Sequence, residues 1–131
     1  MLSSFKLRTD AHGMHDITRT VENEVTNSKV KEGLCVIYSP HTTAGITINE
    51  AADPDVQRDM LLSLSKAFPD LKECRHFEGN SSSHVRTSVV GPSQTVIIHD
   101  GRLLLGTWQG IYFAEFDGPR NRTFYIKIIE G

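Results

Sequence analysis

No apolar run in this 131-residue chain approaches the roughly 18 residues needed to span a bilayer. The first segment, MLSSFKLR, carries Lys6 and Arg8 and lacks the apolar core of a secretion signal. Basic residues do not cluster, and the formal net charge is −2, so the electrostatic footprint of a nucleic-acid binder is missing. The only cysteines, Cys35 and Cys74, show no paired spacing. That excludes a disulfide framework and a cysteine metal cluster, and favours reduced thiols in a cytoplasmic setting. No two of the six histidines stand four residues apart, as a helical metal pair would. A glycine-rich phosphate loop, a nucleophile elbow and internal repeats are also absent. What remains is one domain over residues 1–131, with 38% hydrophobic residues, enough for a core, and no membrane or nucleic-acid partner.

The residues that are present set out an α+β chain. Ser4 to Thr9 alternates apolar and polar side chains and reads as a half-buried strand, with a short second strand over His15 to Ile17. Ile17, Val21 and Val25 recur every four residues, which predicts a helix from about Thr18 to Ser28, capped by Thr18 and followed by Gly33. Leu34 to Tyr38 is continuously apolar and predicts a strand buried on both faces. Pro40 ends its pairing, and Gly45 to Asn49 resumes as a strand. Asp53 followed by Pro54 is a helix start, and Val56, Met60, Leu64 and Phe68 form a stripe expected in the core until Pro69 stops it. Residues 70–83 carry loop chemistry, and Val85 to Val90 fits either a short strand or a helical turn. Thr95 to Ile98, Arg102 to Leu105, Gln109 to Phe116 and Thr123 to Ile129 read as strands joined by turns at Asp100-Gly101 and Asp117 to Arg120.

Ser39 to Met60 is the polar-rich stretch, with His41, Thr42, Thr43, Asn49 and Glu50 set among apolar, β-branched residues. Turn and capping chemistry explains such density, and so does a site in which His41 and Glu50 face one pocket. His76 and His84 flank an Asn/Ser-rich loop. Three imidazoles, His41, His76 and His84, would leave an open position on a divalent metal; ordinary surface-loop histidines fit the same placement.

Three segments carry a family resemblance. They are His41-Thr42-Thr43-Ala44 running through Asn49-Glu50 to Asp53-Pro54 and Asp59-Met60; His76 with Glu78-Gly79-Asn80 and His84; and Ser93 to Ile111, ending in Gly106-Thr107-Trp108-Gln109-Gly110-Ile111. In these the chain resembles the YjbQ-like family, whose members are described as secondary thiamine-phosphate synthases. The resemblance implies an α+β fold of about seven strands in two packed sheets, antiparallel or mixed, with two helices, assembled as a homotrimer. It also implies that His41, His76 and His84 converge on a metal, zinc or magnesium, or on an anion. Relatives often carry an aspartate between the asparagine and the second-loop histidine, as in N-A-D-A-H; here Ser81, Ser82 and Ser83 intervene. A trimer also suits Trp108, Tyr112, Phe113 and Phe116, more aromatics than one small core easily hides.

The reaction so implied joins a hydroxymethylpyrimidine diphosphate to a thiazole phosphate and releases pyrophosphate. Arg86, Thr42 and Thr43 would meet the charge growing on the leaving group. Trp108 would stack on the pyrimidine with Gln109 reading its edge and Asn49 nearby; Trp108 equally suits a subunit rim. Two other classes stay open: a trimeric binding protein for a phosphorylated metabolite, and a metal-dependent hydrolase with Glu50 as general base.

Overall fold

The computed structural model describes residues 2–131. Eight strands and three helices follow one another as β1 (Leu2–Arg8), β2 (Gly13–Asp16), α1 (Thr18–Ser28), β3 (Gly33–Tyr38), β4 (Ala44–Glu50), α2 (Pro54–Ala67), α3 (Ser81–Val90), β5 (Ser93–His99), β6 (Arg102–Leu103), β7 (Gln109–Glu115) and β8 (Asn121–Glu130). They build two antiparallel sheets, of order β1-β8-β3-β5-β6 and β2-β7-β4.

The period-two patterns decide which residues meet between the sheets. Cys35 and Ile37 of β3, Val96 and Ile98 of β5, and Phe124, Ile126 and Ile128 of β8 turn inward. Ala44 and Ile46 of β4, Ile111 and Phe113 of β7, and Val21 and Val25 of α1 close the same cluster. Each fully buried large apolar side chain contributes about 1.5–3 kcal/mol, so this layer dominates the fold's stability. Burial pushes the Cys35 thiol up to about 11, with Glu24 adding to the effect, and leaves it inert.

Four expectations change. Leu34 and Tyr38 are exposed, so β3 is buried on one face; with Ile97 and Ile129 they form an apolar outer face that the chain itself leaves open. Tyr112, Phe113 and Phe116 are core residues, and of the four aromatics only Trp108 reaches solvent, so crowding is no argument for assembly. The α2 stripe is half-buried, with no side chain of the helix fully buried. Val85 to Val90, undecided from sequence, are helical, and the helix already begins at Ser81 inside the expected loop, because Ser82, Ser83, Arg86 and Thr87 recur on one buried face.

The caps follow local chemistry. Asp53 accepts the Asp55 N–H at 2.9 Å ahead of Pro54, as expected. At α1 Thr18 is the first helical residue and not the expected cap; Ile17 at the cap position offers no polar side chain, so Asp16 Oδ1 accepts both the N–H and the hydroxyl of Thr18, while Lys29 in the left-handed region (φ 61°) ends the helix.

Candidate functional site

Two groups of candidate residues lie at opposite ends of β4. At one end, β3 gives way to a turn in which the Ser39 hydroxyl donates to the Ala44 carbonyl at 2.8 Å and receives the His41 N–H at 3.3 Å. This turn delivers His41 to β8, where its Nε2 accepts the Thr123 N–H at 2.9 Å and lies 3.0 Å from the Thr123 carbonyl. The ring meets Phe113 edge-on. Burial, then the Arg122 charge, lowers the pKa of His41 against the opposing pull of Thr123 and Glu115. Nε2 is thus engaged by both backbone groups of Thr123, and Nδ1 is the ring nitrogen left to meet a ligand.

A pH prediction follows. A histidine held neutral by the fold favours the folded state above the ordinary value of 6.5, and that stability is lost as pH falls below it, because the unfolded chain then takes up the proton first. By NMR, the His41 ring should titrate with a midpoint below 6.5; a midpoint at or above that value would contradict the geometry.

Behind His41 lies a buried polar knot. Arg122 donates from Nε to Glu115 Oε1 at 2.7 Å and from Nη2 to Glu115 Oε2 and to Thr43 Oγ1, the last at 2.8 Å. The Thr9 hydroxyl and the Asp117 N–H add bonds to the same carboxylate at 2.6 and 2.9 Å. Burial alone would raise the Glu115 pKa, but these donors outweigh it and hold the carboxyl below the ordinary carboxylate value. Thr43 is thereby a buried anchor of the turn, and Thr42 beside it is exposed. Sequence reasoning missed Glu115 and Arg122. Their signal was one charge of each sign on either side of the turn between β7 and β8, each at an inward position of its strand.

The second loop brings His76 and His84 together, ring centroids 5.4 Å apart and nearly perpendicular, with Glu78 Oε1 3.8 Å from His76 Nε2. Arg86 belongs elsewhere. Two residues along a helix rotate the side chain by about 200°, so Arg86 leaves α3 on the opposite side from His84. It is buried and donates from both Nε and Nη2 to the Phe68 carbonyl at the end of α2, at 3.3 and 3.1 Å. Ser82, the departure from the N-A-D-A-H pattern, donates to Asp70 Oδ1 at 2.6 Å. A carboxylate thus stands beside this position, supplied by the loop after α2.

The remaining candidates gather at the far end of β4. Glu50 pairs with Gln109 in the ladder, and Glu50 Oε2 accepts the Asp53 N–H at 3.2 Å. The Gln109 side chain accepts the Gly106 N–H at 2.7 Å, the Trp108 carbonyl accepts the Ala51 N–H at 2.7 Å, and the Trp108 ring is exposed. Asn49 Oδ1 turns back to the Glu50 N–H. Seven strand residues, about 20 Å at 3.3–3.4 Å each, separate this group from the His41 turn. His41 and Glu50 therefore do not share a pocket within one chain. Nor do His41, His76 and His84 gather their ring nitrogens: among the described residues, the only set of three possible metal ligands within 4.8 Å is Glu32, His99 and Asp100, all exposed. The three-histidine set does not fit a metal centre in the single chain, and no step is derived through one.

The family model of the UPF0047 protein YjbQ-like group matches residues 3–131. The chain belongs to the YjbQ-like family. It is 55% identical to the UPF0047 protein MJ1081 of Methanocaldococcus jannaschii, over 98% of this chain and 94% of that one. It is 53% identical to the UPF0047 protein YugU of Bacillus subtilis, over 98% and 99%. The crystal structure of an uncharacterised YjbQ/UPF0047 family protein from Clostridium acetobutylicum superposes with a TM-score of 0.94 at 52% identity, covering 97% of this chain and 99% of that one. The YjbQ-like fold is thus shared across nearly the whole chain. No helix among the described residues is long and apolar enough to cross a membrane.

Proposed function

We propose that this YjbQ-like chain is the subunit of a homotrimeric transferase of the thiamine-phosphate-synthase kind. The thiazole nitrogen of a thiazole phosphate attacks the methylene carbon of a hydroxymethylpyrimidine diphosphate, the carbon–oxygen bond breaks, and pyrophosphate leaves with the electron pair. The observation that carries the reading is the His76–His84 pair at 5.4 Å, since two adjacent imidazoles can donate hydrogen bonds, and when protonated a positive charge, to a departing pyrophosphate. Trimer formation is supported by the open apolar face of Leu34, Tyr38, Ile97 and Ile129, and by the 20 Å between the two candidate groups. A neighbouring copy would bring the Trp108 and Gln109 end of one chain towards the histidine end of another.

In the expected result, His76→Ala and His84→Ala each lower pyrophosphate release from the two substrates by about 10²-fold or more, while His99→Ala leaves it unchanged. Light scattering on the same samples should give three times the chain mass. Absence of pyrophosphate release by the unaltered protein would end the transferase reading, and a monomer mass would end the trimer. A second reading, a trimeric binding protein for a phosphorylated metabolite, is favoured by the position of Glu50. The one candidate general base stands at the far end of β4 from the histidines, which also removes support from the hydrolase reading.

A further inference from the structure

On the face of α3 away from His84 lies a cavity of about 510 Å³, walled by the end of α2, the start of α3 and the Phe116-Asp117 turn. Such a volume suits a small molecule. Two features of its wall lack partners, and both call for an anion.

Arg86 is the first. It is only 7% exposed, its two hydrogen bonds both go to the single Phe68 carbonyl, and Nη1 has no partner. No ion pair includes it among the described residues. A carbonyl dipole does not neutralise a guanidinium, and a buried charge without a counter-ion is costly. The second is the start of α3, a ten-residue helix with no side-chain cap, because the amide of Asn80 is drawn away to Asp117 Oδ2 at 2.7 Å. The Ser81 and Ser82 N–H groups are left unbonded at the positive end of the helix. The Ser82 hydroxyl is committed to Asp70, and the Ser83 hydroxyl to the Phe116 carbonyl at 2.7 Å.

We infer that this cavity binds a small phosphate ester that also carries a cationic amine. The ester oxygens meet Arg86 and the first N–H groups of α3, and the carboxylates of Asp70 and Asp117 in the wall meet the amine. Leu61, Leu62 and Phe116 pack on the carbon frame. Because the cavity and the His76–His84 pair lie on opposite faces of α3, this binding stands apart from the transferase reading.

Calorimetric titration of the intact protein with phosphoethanolamine, methyl phosphate and ethanolamine tests it. The expected order is phosphoethanolamine tightest, methyl phosphate weaker, ethanolamine undetected. Arg86→Gln should weaken both esters about tenfold or more, the size expected for a charged hydrogen bond. His84→Ala should bind both esters as the unaltered protein does, which separates this site from any loss of transfer. If Arg86→Gln does not fold, amide NMR of the unaltered protein decides: phosphoethanolamine should shift the Gly79 to Ser83 amides and the Arg86 Nε. Failure to saturate with either ester at about 10 mM, or shifts confined to residues outside the cavity, would overturn the proposal. Equal affinity for the two esters would overturn the role given to Asp70 and Asp117.

Discussion

Replacing Glu115 with alanine is expected to cost about 3–5 kcal/mol of stability, measured by urea unfolding, because it strands the buried guanidinium of Arg122. Glu115 is wholly buried and receives hydrogen bonds from Arg122, Thr9 and the Asp117 backbone, so its removal opens β1, β7 and β8 at one point. Removing both charges, as in Glu115→Leu with Arg122→Met, should recover part of the loss, since neither ion is then buried alone. The folded carboxyl titrates below its ordinary 4.5. Its contribution is therefore fully present above that value and is lost as pH falls through the lower, folded value. Glu115→Gln should show a shallower loss of stability on acidification. A Glu115→Ala cost within about 1 kcal/mol of zero would mean that the knot is incidental to the fold.

Gly33→Ala is expected to destabilise by about 3 kcal/mol or more, or to prevent folding. The backbone angles at Gly33 are ordinary, and the obstacle is space: an added Cβ would lie 2.1 Å from the Ile129 carbonyl oxygen and 3.1 Å from the Glu130 Cα. These are backbone atoms of β8, and Gly33 is held against β5 on its other side, so neither neighbour can yield without breaking ladder bonds. Gly79→Ala is the contrast. Nothing lies within 4 Å of its Cβ, and its φ of 76° makes the penalty one of conformation alone, about 1–2 kcal/mol. Equal unfolding midpoints for the two variants would show that β8 does yield.

The legible parts of the sequence were those in which local chemistry and tertiary structure agree. The stripe of Ile17, Val21 and Val25 placed α1, Asp53-Pro54 placed the start of α2, and the alternation of Phe124, Ile126 and Ile128 gave the inward face of β8. The failures have one physical origin, since apolar content shows that a side chain prefers burial and not whether a partner is there to bury it. Leu34 and Tyr38 belong to the same apolar run as Cys35 and Ile37 yet face away from the core. The α3 helix was ambiguous because its buried face is made of Ser82, Ser83, Arg86 and Thr87, which no hydrophobic period reveals. In the candidate site, the pairing of His76 with His84 was legible from their common loop. The separation of His41 from Glu50 was not, although both flank one strand: seven extended residues make a distance as well as a connection.

The central position of β8 has a consequence for how the chain acquires its structure. Residues 121–130 lie between β1 and β3, with Leu2 opposite Lys127 on one side and Tyr38 opposite Tyr125 on the other. Neither neighbour can complete its ladder until a segment made more than eighty residues later arrives, and loops of that length are closed slowly because entropy opposes them. During synthesis on the ribosome, β1 waits with an unpaired edge, while β3 has only β5 to lean on. The five-stranded sheet then closes as one late event around the incoming strand. Mutations in β8 should accordingly slow folding more than those in α1, whose turns form from contacts close in sequence.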